Sequence, residues 1–172
     1  TSFFSDGNEE DTGIGIHFRD LALGLQSHGH TVEVFHFPYD FLEDNIAYFN
    51  GIKVKRIGIA HPQLPKLRGI GRLCKLVRFF DFYECICLYR RSKRLANELL
   101  NFQCDVVDAT SNRGVAYGLS RNDKRPPIFT RVSTTMRQSF AHEKKIPDFN
   151  FRLSSRFEEM QIQNSEHLVT HT

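Results

Sequence analysis

The residue order predicts an α/β fold built on an open, doubly wound parallel sheet. Two observations carry this. An amphipathic helical stretch is followed at once by a β-branched, aromatic run, which is the αβ half of a βαβ unit. Helical and strand-like stretches then alternate to the end of the chain.

Residues Ser5 to Thr12 are polar and acidic and read as a solvent-facing loop. A helix is expected to start near Gly13 to Ile16. Phe18, Leu21, Ala22 and Leu25 recur at helical spacing to give one apolar face, with Arg19, Asp20 and Gln26 largely off it. His28-Gly29 should end it, because Gly accepts the left-handed conformation that closes helices. Thr31 to Phe37, stopped by Pro38, reads as a buried strand. A further strand pair is expected around Ile52 to Ile59, with Asn50-Gly51 offering a turn.

His61 to Gly71 contains Pro62, Pro65, Gly69 and Gly71 and reads as a loop. A long helix should follow from Leu73 to about Phe102. Asp105 to Ala109 is a strand candidate, Gly114 to Leu119 a short helix, and Ile128 to Val132 a strand after the Pro126-Pro127 break. Asn150 to Asn164 should be helical, and His167 to Thr170 begins a last strand. Ligands of such sheets bind at the carboxyl ends of the strands. Those ends are where the glycine-containing opening loop and the segments after Ala109 and Val132 should lie.

A chain of 172 residues suits one domain over 1–172, large enough to bury a core without disulfides. At 40% hydrophobic and 25% charged residues it is globular rather than disordered. A net charge of +3 is too mild to imply nucleic acid as a partner. Cys74, Cys85, Cys87 and Cys104 include no Cys-x-x-Cys pair, which fits free thiols in a reducing cytoplasm. No signal peptide opens the chain and no apolar run is long enough to span a bilayer. The opening Thr1-Ser2-Phe3-Phe4-Ser5 lacks Met and reads like the end of a strand, so a truncated first strand is expected.

Thr12-Gly13-Ile14-Gly15 opens a helix after that strand-like start. Backbone N–H groups at a helix N-terminus favour anions, and Gly lets a phosphate come close. A diphosphate site and a plain tight turn are both consistent with this feature. A dinucleotide fingerprint would want a third Gly where Phe18 stands, and an acid at the end of the next strand, where Phe35-His36-Phe37-Pro38 has none. His17 lies in the first helical turn, near this anion site. His28 and His30 flank Gly29 and suit capping or packing. No zinc-hydrolase pair, nucleophile elbow or Walker loop is present.

Lys66, Arg68, Arg72, Lys75 and Arg78 interleave with Leu67, Ile70, Leu73, Leu76, Val77, Phe79 and Phe80. This segment reads either as a surface helix with a solvated basic face or as a helix lying against anionic lipid. Arg90, Arg91, Lys93 and Arg94 extend the charge. Thr130 to Thr135 runs off a strand into a hydroxyl-rich loop suited to a polyhydroxylated ligand, or to ordinary loop chemistry. Asp108, at the end of the preceding strand, is either a carboxylate facing the same cleft or a turn former.

Gly13-Ile14-Gly15, Arg19 to Leu25 and His28-Gly29-His30-Thr31-Val32-Glu33-Val34-Phe35 together resemble the opening of family-4 retaining glycosyltransferases of the GT-B type. Cys104 to Ala109 is similar to that family's fourth-strand region, Pro127 to Ser133 to the next strand, and Phe157-Glu158 through Ser165 to Val169 to the crossover toward the linker. The resemblance covers nearly the whole chain. Two departures stand out: Thr12-Gly13 replaces the usual Gly-Gly, and Ser133 sits where many relatives carry a His. A hydroxyl can bond a sugar but is no base at neutral pH.

The resemblance implies a Rossmann-like, acceptor-side half of a two-domain enzyme whose donor-binding C-terminal domain lies beyond Thr172, so that this fragment alone would be inactive. The full enzyme would transfer a sugar from a nucleotide-sugar donor to a glycan or lipid-linked acceptor, as in polysaccharide biosynthesis. No metal cofactor is expected. Gly13, Ile14 and Gly15 would bind the donor diphosphate. His17, Asp108, Arg131, Ser133 and Thr134 would line the acceptor side, and no catalytic residue is identified. Location would be cytoplasmic, with 66–80 offering peripheral contact to the inner face of the membrane. A nucleotide-binding oxidoreductase domain and a non-catalytic carbohydrate-binding module are the alternatives.

Overall fold

The computed structural model describes residues 13–36, 44–58, 79–132, 134–143 and 149–170. The acidic opening loop, the expected first strand, the loop 61–71, the basic stretch 66–78 and Ser133 lie outside them. The chain is α/β and forms two compact units, Thr1–Gln63 and Leu64–Thr172.

In the first unit, helix α1 (Gly13–Ser27) precedes strand β1 (Glu33–His36). Phe18, Leu23, Val32 and Val34 pack against the buried pair Ala22 and Ile52. Leu25, expected on the apolar face, sits in the last turn at the margin of the stripe and is 38% exposed, while Leu23 joins the core. The helix ends as its glycine suggests. Gly29 takes φ 85, the His30 amide donates to the Leu25 carbonyl at 3.1 Å, and the Gly29 amide donates to that of Gln26 at 3.0 Å. This is the Schellman arrangement that satisfies the last carbonyls of a helix. His28 adds a cap, its Nδ1 lying 2.8 Å from the Gly24 carbonyl. A carbonyl only accepts, so that nitrogen carries the proton.

Strand β2 (Asn45–Phe49) and strand β3 (Ile52–Arg56) form a hairpin in which Phe49 pairs with Ile52. Asn50 and Gly51 both have positive φ, 46 and 83, as a type I′ turn requires. The sheet order is β1-β3-β2, with β1 parallel and β2 antiparallel to β3. The antiparallel hairpin departs from the expected all-parallel sheet, because a two-residue turn can only join antiparallel strands. Ile52 and Val54 point to the buried face, and Lys53 on the other face pairs with Glu33 at 2.9 Å.

The second unit holds helix α2 (Phe79–Phe102), strand β4 (Val107–Thr110), a 3-10 turn (Asn112–Gly114), the short helix α3 (Tyr117–Ser120), strand β5 (Ile128–Val132), helix α4 (Met136–Glu143), helix α5 (Phe149–Gln163) and strand β6 (His167–Thr170). The three strands lie in the order β4-β5-β6, all parallel. Val107, Ala109 and Ile128 are buried on one face, as are Leu95, Ala96 and Leu99 of α2 and Phe151 and Phe157 of α5. β4 starts later than the expected Asp105, since Gln103 at φ 53 ends α2 and Val106 remains 49% exposed. The expected helix Gly114 to Leu119 is split, because Arg113 and Gly114 adopt φ 53 and 65.

Helix α4 follows the hydroxyl-rich run Thr130 to Thr135 and is not expected from the sequence. Thr135 is its N-cap: the Gln138 amide donates to Thr135 Oγ1 at 3.3 Å, and Gln138 Oε1 accepts the Thr135 amide at 2.9 Å. This is a reciprocal capping box, Thr-x-x-Gln.

Two glycines are required by close approach. A Cβ on Gly114 would meet the Phe157 backbone carbon at 2.5 Å, and one on Gly118 would meet the Ser92 carbonyl oxygen at 2.7 Å. The latter glycine lets α3 sit directly on α2, where its amide donates to Ser92 Oγ at 2.6 Å.

Arg125 ties the start of β5 to the start of β6. Its Nη1 donates to Glu166 Oε2 at 2.8 Å, its Nη2 to the Asn164 carbonyl at 2.6 Å, and its Nε to the Ser120 carbonyl at 3.2 Å. Glu166 Oε2 also accepts the Ile128 amide at 2.7 Å. The Arg125 guanidinium, followed by the Ile128 amide, lowers the Glu166 pKa from 4.5 to about 2, against the opposing cost of burial.

Three outcomes follow from this packing. Gly114→Ala should lose roughly 2–4 kcal/mol in urea unfolding, from strain at positive φ plus overpacking. Gly24→Ala, with open space around it and a helical backbone, should gain about 0.5–1 kcal/mol. Because the folded pKa of Glu166 is depressed, its stabilisation is present above pH 4.5 and lost as pH falls toward 2. The melting-temperature gap between the native chain and Glu166→Gln should therefore narrow across that window.

Candidate functional site

Parallel strands bring all their carboxyl ends to one edge, so Thr110, Val132 and Thr170 end together. Register then sets the two faces. Asp108 pairs with Phe129 and Phe129 with His167; one row on, Thr110 pairs with Arg131 and Arg131 with Val169. Side chains alternate along a strand, so these six share the outer face, opposite the buried Val107, Ala109, Ile128 and Thr130.

On that outer face Asp108 and Arg131 form a two-pronged ion pair. Arg131 Nε donates to Asp108 Oδ1 at 2.8 Å and to Oδ2 at 3.0 Å, and Nη2 donates to Oδ2 at 2.7 Å. The side chains are 16% and 26% exposed for Arg131 and Asp108, so the pair is partly dried yet reachable. Both protons on Nη1 and one on Nη2 are left outside it. Beside the pair, the Phe129 and His167 rings stack at 4.5 Å with an interplanar angle of 28°. Thr110 Oγ1 accepts the Asn112 amide at 3.2 Å and keeps its own proton for donation.

The inner face near the same edge holds a buried polar network. Gln161, fully buried, accepts the Ala116 amide on Oε1 at 2.9 Å. Its Nε2 donates to the Thr110 carbonyl at 2.9 Å and to Thr130 Oγ1 at 3.2 Å. Ser165 Oγ donates to the Gln161 carbonyl at 2.7 Å and lies 2.6 Å from Thr130 Oγ1. Its single proton is thus spent, so Thr130 must be the donor between the two hydroxyls. Ser111, just past β4, donates to Glu158 Oε1 at 3.1 Å, and both residues are buried.

In the first unit, Gly13, Ile14 and Gly15 form the first turn of α1, which contains no acidic residue to oppose an anion. Gly15 is buried. His17 is partly buried, its ring edge-on to Phe18 at 5.9 Å. Phe18, at the position of the third glycine of a dinucleotide fingerprint, packs on the Ala22–Ile52 core.

Of the sequence-derived residues, the structure brings Asp108 and Arg131 into direct contact. Thr134 is exposed at the approach to α4 in the same unit, while the neighbouring Thr135 hydroxyl is committed to the helix cap. Gly13 to Gly15 and His17 belong to the other unit. Sequence reasoning missed Thr130, Glu158 and Gln161 as partners at the strand ends. It also missed the Phe129–His167 stack, which only the β5–β6 register creates.

Among the described residues no group of His, Cys, Asp or Glu is placed to hold a metal ion, and no helix is long and apolar enough to cross a membrane. No protein-family model, curated protein or solved structure matches the chain.

Gln161→Leu should lose roughly 2–4 kcal/mol in urea unfolding, since the Ala116 amide and the Thr110 carbonyl are left buried without their partner. Adding Thr130→Val to that variant should cost less than Thr130→Val alone, because the two share one network.

Proposed function

We propose that this chain is the Rossmann-like, acceptor-side half of a GT-B type glycosyltransferase, acting with a donor-binding domain that follows it. The observation that most supports the reading is the order of elements along the chain. A glycine-opened helix feeds a strand, and a later parallel β4–β5–β6 ladder gathers Asp108, Thr110 and Arg131 near its carboxyl edge. That edge is where open α/β sheets bind their ligands.

In this reading the amides of the first turn of α1, at Gly13, Ile14 and Gly15, receive the diphosphate of the nucleotide sugar, with His17 close by. Asp108, Arg131, Ser133 and Thr134 hold the acceptor. The departing diphosphate develops negative charge as the sugar leaves, and preorganised N–H donors at a helix start stabilise such charge. The residues of this chain thereby orient and stabilise, while no side chain among them acts as a base. The hydroxyl at Ser133 fits that division of labour, since it can position a sugar without accepting its proton at neutral pH.

Nucleotide release from UDP-, GDP- and ADP-sugars, measured on protein expressed from the complete reading frame with and without a glycan or lipid extract, tests this. One nucleotide should be released in an acceptor-dependent way. Gly13→Trp should abolish that release while leaving the melting temperature within a few degrees. No release with any donor, together with tight binding of a nicotinamide dinucleotide, would replace this reading with an oxidoreductase domain.

A further inference from the structure

The outer face of the β4–β5–β6 sheet carries a specific chemistry. It sets a carboxylate and a guanidinium side by side, already paired, next to a stacked pair of rings and a threonine hydroxyl. An arginine meant for an anion keeps its charge uncompensated. Here Asp108 lies within hydrogen-bond distance of two of the three Arg131 nitrogens, so the pair is neutral as a unit. A phosphate or uronate arriving at the remaining Nη2 proton would gain one cation and meet the Asp108 carboxylate beside it.

A neutral vicinal diol meets no such conflict. One hydroxyl donates to a lone pair of Asp108, and its neighbour accepts the proton of Arg131 Nη2 that the ion pair leaves unused. The pair thus offers one acceptor and one donor side by side, matching two adjacent hydroxyls of a sugar ring. Partial burial strengthens both bonds relative to water. The Phe129–His167 stack beside them supplies flat apolar area for the carbon face of the same ring, since Phe129 is the register partner of Asp108.

We infer that Asp108 and Arg131, with the Phe129–His167 stack, recognise an uncharged sugar unit of the acceptor through a vicinal diol, and select against acceptors whose contacting unit is anionic. The inference deepens the glycosyltransferase reading and takes the existence of a glycan acceptor from it. Its selectivity arises from Asp108, which acts as a charge-cancelling ligand as well as a contact.

The test is a ¹H–¹⁵N NMR titration of the 172-residue chain with three probes: methyl glucoside, methyl glucuronide and glucose 1-phosphate. The glucoside should shift the Arg131 Nε–H and the amides of Phe129 and His167, with the two anionic probes binding at least about tenfold more weakly. Asp108→Asn keeps an oxygen for Arg131 but removes the charge, so it should bring the anionic probes level with the glucoside or ahead of it. Circular dichroism checks that the variant is folded, and the ordering of the three probes on the native chain is informative without it. Tighter binding of the glucuronide than the glucoside, or an unchanged ratio in folded Asp108→Asn, would overturn the inference and leave the glycosyltransferase reading standing. If no saccharide shifts any resonance, the inference falls, and the nucleotide-release assay judges the parent reading by itself.

Discussion

The second unit depends on a single buried amide. Gln161 reaches from α5 to the last carbonyl of β4, to the hydroxyl on the inner face of β5 and to the backbone entering α3. Three segments, between 31 and 51 residues from Gln161 in sequence, are thereby fixed by one side chain. Such a group stabilises only if every polar atom in the network is matched, because a half-satisfied polar cluster is worse than an apolar one. Here the matching is closed: the amide donates to Thr130, Thr130 to Ser165, and Ser165 back to the carbonyl of Gln161. The Ser111–Glu158 bond and the pressing of Gly114 onto Phe157 extend the same seam by one helical turn.

This seam defines what the other face of the sheet can be. With Thr130 turned inward and held, alternation turns Phe129 and Arg131 outward, and register then sets them beside Asp108 and His167. A one-residue slip would exchange the faces, burying the arginine and exposing the threonine. The buried network and the outer polar cluster are therefore two consequences of one register. Specifying the inner face specifies the outer one.

How much of this was legible in the sequence follows from what each signal encodes. β5, α5 and β6 are legible nearly to their ends, because Pro126-Pro127 and the β-branched and aromatic residues Ile128, Phe129, Thr130 and Val132 mark β5, and length marks α5. The end of α1 was equally plain in Gly29, whose positive φ only a glycine holds cheaply. β2 went unread although Asn50-Gly51 is a strong hairpin signal, since the turn was attached to the strand after it and not to the strand before. Helix α4 is hidden in the sequence because Thr135 closes a hydroxyl-rich run that suits a loop, and only its capping box with Gln138 marks a helix start. Ser154, Ser155, Glu158 and Gln161 are all buried on α5, yet polar residues at helical spacing read as a solvent-facing stripe. No local pattern separates a buried polar stripe from an exposed one; the partners on β4 and β5 decide it. Asp108 and Arg131 were singled out for their strand-end positions, and their mutual contact required the register.

Two of the arginine–carboxylate pairs of the second unit, Arg125–Glu166 and Arg131–Asp108, differ in how far the protein uses them. Arg125 spends all three nitrogens within the protein: Nε on Ser120, Nη1 on Pro126 and Glu166, Nη2 on Asn164. Its partner Glu166, though 40% exposed, is also bonded by the Ile128 amide, so this pair is tied into the backbone. That pair closes the amino ends of β5 and β6. Arg131 spends only the edge formed by Nε and Nη2, and among the described residues Nη1 makes no hydrogen bond. Among the described residues Asp108 takes no backbone amide. One pair thus sits tied into the backbone at the amino ends of the parallel strands and the other is bonded only within itself near their carboxyl ends, where an α/β sheet receives its ligands. The same arginine–carboxylate chemistry ties backbone together at one end of the sheet and stands by itself at the other.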